Sequence, residues 1–159
     1  MNTEVPRGEN IMLKELLTKE TITVEKDCES WEAAVERGGK LLENINAVEH
    51  TYTEAMKQSI RDNGPYIVIA PNIALLHARP EDGVKKVCMS LQVVNKGVNF
   101  GYEERDPVKL IFAFGALDSE SHLKALQKLM DLLNNEALLE KCKNAKYPDE
   151  IISLLNNNF

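Results

Sequence analysis

Nothing in this sequence is spaced to hold a disulfide or a metal ion. Its three cysteines, Cys28, Cys88 and Cys142, are scattered and odd in number. That pattern fits buried thiols in a reducing compartment better than a disulfide framework. No HxxxH or CxxC pair offers the ligand spacing of a zinc site. A basic patch is also missing, and the net charge of −6 would repel the phosphates of a nucleic acid. Residues 1–10 carry Glu4, Arg7 and Glu9 in place of the apolar stretch of a signal peptide. The longest apolar run, residues 110–117, contains a glycine and is too short to cross a bilayer. A soluble, cytoplasmic protein is expected. The sequence has no GxxxxGK[ST] loop and no GxGxxG turn, which disfavours a nucleotide-dependent kinase. No GxSxG elbow accompanies Ser119 and Ser121, which disfavours a hydrolase.

What is present is a globular balance of 43% hydrophobic and 28% charged residues. The length allows one continuous core. With no internal repeat, linker or low-complexity stretch, the chain reads as a single domain over 1–159. The pattern predicts a short helix over 9–17, with Ile11, Leu13, Leu16 and Leu17 inward. Alternating residues predict a half-buried strand over 21–25. Trp31, Ala34, Val35, Leu41, Leu42 and Ile45 recur at helical spacing behind a Ser30 N-cap. Gly38-Gly39 is expected to interrupt that helix where another backbone comes close. Thr51-x-x-Glu54 predicts a capping box opening a second helix, with Tyr52, Ala55, Met56 and Ile60 on its apolar face. Asn63-Gly64-Pro65 ends it.

The middle of the chain changes character. A β-branched run over 66–70, a Pro71-Asn72 turn and a second apolar piece over 73–76 lead into His77-Ala78-Arg79. The turn cluster Pro80-Glu81-Asp82-Gly83 follows. Residues 87–94 predict a strand, Asn95-Lys96-Gly97 a tight connection, and 98–100 a short return. The run over 108–117 reads as the central strand of the sheet. Leu123, Leu126, Met130 and Leu133 form one helical stripe, and Leu138, Leu139 and Cys142 another. A last helix begins near Pro148, a favourable first-turn residue. The order of elements predicts an α/β (α+β) domain, a mixed sheet flanked by helices.

His77 stands where an apolar strand opens into a loop, the position at which α/β proteins carry their sites. Its residue type suits a reversible phosphoryl acceptor. Imidazole is nucleophilic, partly neutral near pH 7, and forms a phosphoramidate that is readily passed on. Such a site must also supply donors to the moving group, and Arg79 is placed to do so. On position alone, an ordinary surface or core histidine beside a turn is the favoured reading. His122 follows Asp118-Ser119-Glu120-Ser121 in the first turn of a predicted helix, where an anion is favoured. Alone it is a solvated first-turn residue. Paired with His77 it becomes a second histidine on the same sheet edge. His50, before Thr51, belongs to the surface, and the charge pairs along the helices read as a solvated face.

The segment Gly64-Pro65-Tyr66-Ile67-Val68-Ile69-Ala70-Pro71-Asn72-Ile73-Ala74-Leu75-Leu76-His77-Ala78-Arg79-Pro80 resembles the phosphorylation segment of sugar phosphotransferase system (PTS) IIA domains. The type is the mannitol/fructose/ascorbate one (EIIA type-2), in which a G/N-I-A-x-P-H core carries the phosphorylated histidine. His-Ala-Arg-Pro is similar to the ascorbate-type branch, whereas mannitol- and fructose-type members more often read His-Gly. Asp106-Pro107-Val108 through Phe114, then Asp118-Ser119-Glu120-Ser121-His122-Leu123, resembles the family's second active-site segment. The spacing of Arg61 before His77 resembles that of the family's active-site arginine. The likeness runs over about 13–155. It departs at Leu76, where the family usually has a proline that would stiffen the backbone before the histidine. Leu75 and Leu76 are read either as core or as an apolar docking rim.

The resemblance implies the phosphotransferase/anion transport protein-like fold and a phosphotransferase that needs no cofactor and no metal. It implies phospho-HPr as donor, a IIB cysteine as acceptor, and only an indirect link to the membrane IIC component. His77 would be the nucleophile and carrier, and His122 and Arg61 would orient or stabilise the group. Arg79 fits the same role by spacing. None of the three cysteines lies in a glycine- and hydroxyl-rich loop, so the acceptor cysteine is expected on another chain. Ascorbate or a related sugar or sugar alcohol is the expected transported compound. A regulatory phospho-acceptor of the same fold and a non-catalytic binding module are the alternatives. A homodimer is left open.

Overall fold

The most apolar strand in the sequence lies at the centre of the sheet. In the computed structural model, which describes residues 12–159, five strands form one mixed sheet. They are β1 (Ile22–Glu25), β2 (Val68–Ala70), β3 (Ile73–Leu76), β4 (Cys88–Val98) and β5 (Val108–Gly115). Their order across the sheet is β1-β4-β5-β3-β2. β1 runs parallel to β4 and β3 parallel to β5, while β4 with β5 and β2 with β3 are antiparallel.

Side chains alternate along a strand, so β5 feeds two cores. Leu110, Phe112 and Phe114 enter one layer, while Ile111 and Ala113 enter the other. The first layer is closed by helices α1 (Leu13–Leu16), α4 (Ser119–Leu133), α5 (Glu136–Lys143) and α6 (Pro148–Asn158). The second is closed by α2 (Trp31–Asn44) and α3 (His50–Asn63). Being covered on both faces explains why β5 from Leu110 onward reads as an unbroken apolar run. The Ser30 hydroxyl caps α2 by accepting from the Ala33 N–H at 3.1 Å, and Pro148 opens α6 in its first turn.

Several expectations are corrected. Gly38 and Gly39 do not interrupt α2, which is continuous. The close approach there is a side chain, since a Cβ on Gly39 would lie 2.1 Å from the Thr53 hydroxyl of α3. Thr51 and Glu54 form no capping box. The helix starts one residue earlier behind Glu49, which gives no side-chain cap. The Thr51 hydroxyl instead donates to the Asp82 carbonyl at 2.9 Å, and Glu54 pairs with His50 and Lys57. Asn95-Lys96-Gly97 does not reverse the chain. It is an irregularity inside one long strand, between the pairs Val93–Leu110 and Val98–Val108, and Asn95 uses it to donate to the Lys143 and Ala145 carbonyls. The reversal comes later, where the Asp106 carboxylate accepts from the Phe100 and Gly101 N–H groups. Of the helix expected over 9–17, residues 9–11 lie outside the described residues and α1 covers the rest in part. Leu75 and Leu76 are core, 5% and 1% exposed. The exposed leucines near the site are Leu117 and Leu123.

Candidate active site

Alternation along β3 decides which way His77 faces. Ile73 and Leu75 point into the α4–α6 layer, and Ala74 and Leu76 into the α2–α3 layer. Two residues beyond Leu75, the same period turns His77 toward Phe114 and the start of α4. The His77 and Phe114 rings have centroids 5.8 Å apart, and Phe114 lies 5.0 Å from His122. The two imidazoles are 6.4 Å apart and nearly perpendicular, at 76°. The two histidines singled out in the sequence therefore meet at one sheet edge, over a buried phenylalanine.

His77 Nδ1 lies 3.0 Å from the Leu75 carbonyl oxygen. A carbonyl can only accept, so Nδ1 carries the proton and Nε2 presents its lone pair. His122 is held at the head of α4, where the Asp118 carboxylate accepts from the Ser121 N–H at 2.8 Å. The Ser121 hydroxyl accepts from the Leu117 and Asp118 N–H groups and so serves the helix cap. The backbone and side-chain hydrogen bonds from Ser121 hold the Asp118 carboxyl below its usual range. Partial burial, and secondly the nearby His77, push the His122 imidazole below the ordinary histidine value.

The loop after His77 is tied down at each step. The Ala78 N–H donates to the Tyr52 hydroxyl at 3.0 Å, and Arg79 donates its N–H to Asp82 at 3.0 Å. Pro80–Asp82 make one turn of 3-10 helix, and the Glu49 N–H donates to the Gly83 carbonyl at 2.8 Å. Gly83 has φ 133°, and a Cβ there would stand 2.8 Å from the Thr51 hydroxyl, so the turn needs glycine. The Arg79 guanidinium is exposed and leans on Asp82 at 3.4 Å. Burial keeps the Tyr52 phenol protonated by pushing its pKa well up.

Arg61 occupies the last turn of α3, with its guanidinium 6.0 Å from the centre of the Trp31 ring. It lies nine residues beyond Tyr52, about 13 Å along the helix axis. His77, His122 and Arg79 are thus carried by the two strand exits, while Arg61 rests against Trp31. His50 sits between Glu43 and Glu54 at 3.1 and 3.4 Å. Tyr52, Phe114 and Asp82 shape the site without standing out in the sequence. Tyr52 and Phe114 satisfy their apolar patterns completely, and Asp82 is one of several turn residues.

Two imidazoles brought together at the exits of β3 and β5 suit the carrying of a phosphoryl group, the chemistry of a phosphotransferase component. Residues 15–158 match the family described as phosphoenolpyruvate-dependent sugar phosphotransferase system, EIIA 2, and the chain belongs to that family. It is 30% identical over 142 residues to the ascorbate-specific PTS system EIIA component of Shigella boydii serotype 4 (strain Sb227), covering 89% of this chain and 92% of that protein. The solution structure of the mannitol-specific cryptic phosphotransferase enzyme IIA CmtB from Escherichia coli superposes with a TM-score of 0.85. Identity there is 32%, with coverage of 92% of this chain and 99% of that one. A complex of enzyme IIAMTL and phosphorylated enzyme IIBMTL from Escherichia coli superposes with a TM-score of 0.77 and 26% identity, over 89% of this chain and 99% of that chain. Among the described residues no helix is long and apolar enough to cross a membrane.

Proposed function

We propose that this chain carries a phosphoryl group on His77 Nε2 between a donor phosphoprotein of the HPr kind and a cysteine of a IIB component, in the cytoplasm. The observation that carries this reading is the 3.0 Å contact from His77 Nδ1 to the Leu75 carbonyl. Nε2 attacks the donor's phosphorus, the donor's P–N bond breaks, and the donor ring keeps that electron pair. The His77 ring gains positive charge, which the Nδ1–H bond to Leu75 stabilises. In the second step the acceptor thiolate attacks, and the P–N electron pair returns to Nε2. His122 and the head of α4 face the phosphoryl oxygens, and Arg79 supplies a cation once it leaves Asp82. Arg61 contributes on this reading by swinging away from Trp31. The exposed Leu117 and Leu123 on either side of His122 offer apolar contact to the partner proteins.

Incubation with enzyme I, HPr and phosphoenolpyruvate, followed by mass spectrometry, tests the reading. An acid-labile phosphate on His77 supports it, and no phosphate refutes it. A chase with IIB proteins of the ascorbate and mannitol types then tests the acceptor. The ascorbate-like His-Ala-Arg-Pro segment and the Shigella relative favour faster transfer to the ascorbate type. Stable phosphate that neither IIB discharges would point to a regulatory phospho-acceptor.

His122 gives a second check. Its NMR titration midpoint should lie below the ordinary value of about 6.5, because burial and His77 disfavour its charged form. The unfolded chain then binds that proton more tightly. The stabilising contribution is present above the unfolded value and is lost as pH falls toward the lower native midpoint. Phosphorylation of His77 places an anion beside this ring, so the midpoint should rise. His122→Ala should slow onward transfer while changing stability by about 0.5 kcal/mol or less. A large stability loss with normal transfer would remove His122 from the site.

A further inference from the structure

The ring of Tyr52 belongs to the α2–α3 layer, on the opposite face of the sheet from the two imidazoles. The residue is 1% exposed. Its hydroxyl nevertheless reaches the strand ends that carry the site. It donates to the Phe114 carbonyl at 2.6 Å and accepts from the Ala78 N–H at 3.0 Å, with the Ala78 carbonyl a further 3.3 Å contact. Ala78 follows His77 directly, and the Phe114 ring touches both imidazoles. One oxygen therefore joins the backbone after His77 to the backbone of the residue on which His77 and His122 rest.

A helix-face tyrosine would pack equally well as phenylalanine, so packing does not explain the hydroxyl. We propose that Tyr52 is a positioning residue for phosphoryl transfer. Its hydroxyl clamps the exits of β3 and β5 so that His77 keeps Nδ1–H on the Leu75 carbonyl and presents Nε2 beside His122. The inference rests on the phosphocarrier reading of His77. It adds that reactivity is set from the far face of the sheet, by a group that never meets the phosphoryl group.

The test is Tyr52→Phe, which keeps the ring and removes the clamp. With phospho-HPr as donor, the maximal rate of phosphorylation should fall by about 10- to 100-fold, the scale expected when a reacting atom is misplaced by about 1 Å. The half-saturating donor concentration should stay within about twofold, since the exposed docking surface is untouched. Imidazole 15N shifts of the unphosphorylated protein should show a single Nδ1–H tautomer of His77, which becomes mixed in the variant. Thr21→Val is the control. It removes another buried hydroxyl, which donates to the Leu16 carbonyl at 3.0 Å beside β1, with two strands, β4 and β5, between it and β3. The control should lower the melting temperature and leave the transfer rate and tautomer unchanged.

A Tyr52→Phe protein that melts earlier but keeps its rate and its tautomer would overturn the inference. So would a Thr21→Val protein slowed to the same extent. If Tyr52→Phe does not fold, the unsubstituted protein still decides. Its Tyr52 hydroxyl proton should exchange slowly and correlate with the Ala78 N–H, and a freely exchanging hydroxyl would refute the clamp. The tautomer is measured without any phosphoryl donor. Failure of His77 to accept phosphate would therefore sink the carrier reading while leaving the clamp to be judged separately.

Discussion

His77→Ala should yield a protein that takes up no phosphate from phosphoenolpyruvate through enzyme I and HPr, yet stays folded. His77 is half-buried at the end of a strand rather than inside it, and its ring is hydrogen-bonded to the Leu75 carbonyl. Losing a bond of that kind costs about 1 kcal/mol net, a small share of the roughly 5–15 kcal/mol that holds an ordinary domain together. Chemistry should be lost completely, because nucleophilic addition to phosphorus has no substitute at that position. His77→Asn sharpens the test. Its side-chain amide nitrogen, attached to Cγ like Nδ1, can still donate to the Leu75 carbonyl but offers no nucleophilic nitrogen. It should match the parent in thermal unfolding and match the alanine variant in phosphate uptake. Phosphate appearing on His122 in either variant would overturn the division of roles between the two rings.

The largest stability effect expected from a single added methyl group is at Gly39. Its Cβ would lie 2.1 Å from Thr53 Oγ1, 2.5 Å from Cγ2 and 2.7 Å from Cβ. Thr53 is 1% exposed, and its hydroxyl donates to Glu43 at 2.7 Å, so the side chain has little room to turn away. Helix propensity favours alanine over glycine by about 1 kcal/mol. Prying apart two packed helices costs about 1–3 kcal/mol and sometimes more. With contacts this short the overpacking prevails, and Gly39→Ala should destabilise by about 2 kcal/mol or more in denaturant unfolding. Adding Thr53→Gly moves the small residue to the facing helix and should recover part of that loss. Equal stability of Gly39→Ala and the parent would mean that α2 and α3 separate easily. The close packing would then mean little for stability.

The two histidines were legible because their chemistry is rare in this chain and each follows a recognisable strand. The layer arrangement is legible because residues 108–117 read as the central strand, and β5 (Val108–Gly115) takes that place with both faces covered. The features that local sequence does not reveal have a common cause. Gly38-Gly39 signals close approach in the sequence but not whether a backbone or a threonine approaches. Thr51-x-x-Glu54 matches a cap locally, yet the Asp82 carbonyl, 31 residues away, competes for the same hydroxyl. Asn95-Lys96-Gly97 has the composition of a turn, and only pairing with β5 keeps the strand going through it. In each case a long-range partner decides among local options of similar free energy. Tyr52 is the clearest instance. Its ring satisfies the helical pattern in full, and its hydroxyl acts across the sheet on strands that lie 26 and 62 residues further along.

The bond from His77 Nδ1 to the Leu75 carbonyl has a kinetic consequence. On the proposed carrier reading, with one ring nitrogen committed to the backbone, the phosphoryl group would arrive and depart through the other. Donor and acceptor must then use the same approach and cannot occupy the protein together. Turnover becomes an alternating exchange with parallel double-reciprocal plots, and each unphosphorylated partner competes with the other for the carrier. The balance of partner concentrations in the cell, and not affinity alone, then sets how long each phosphate stays on this protein.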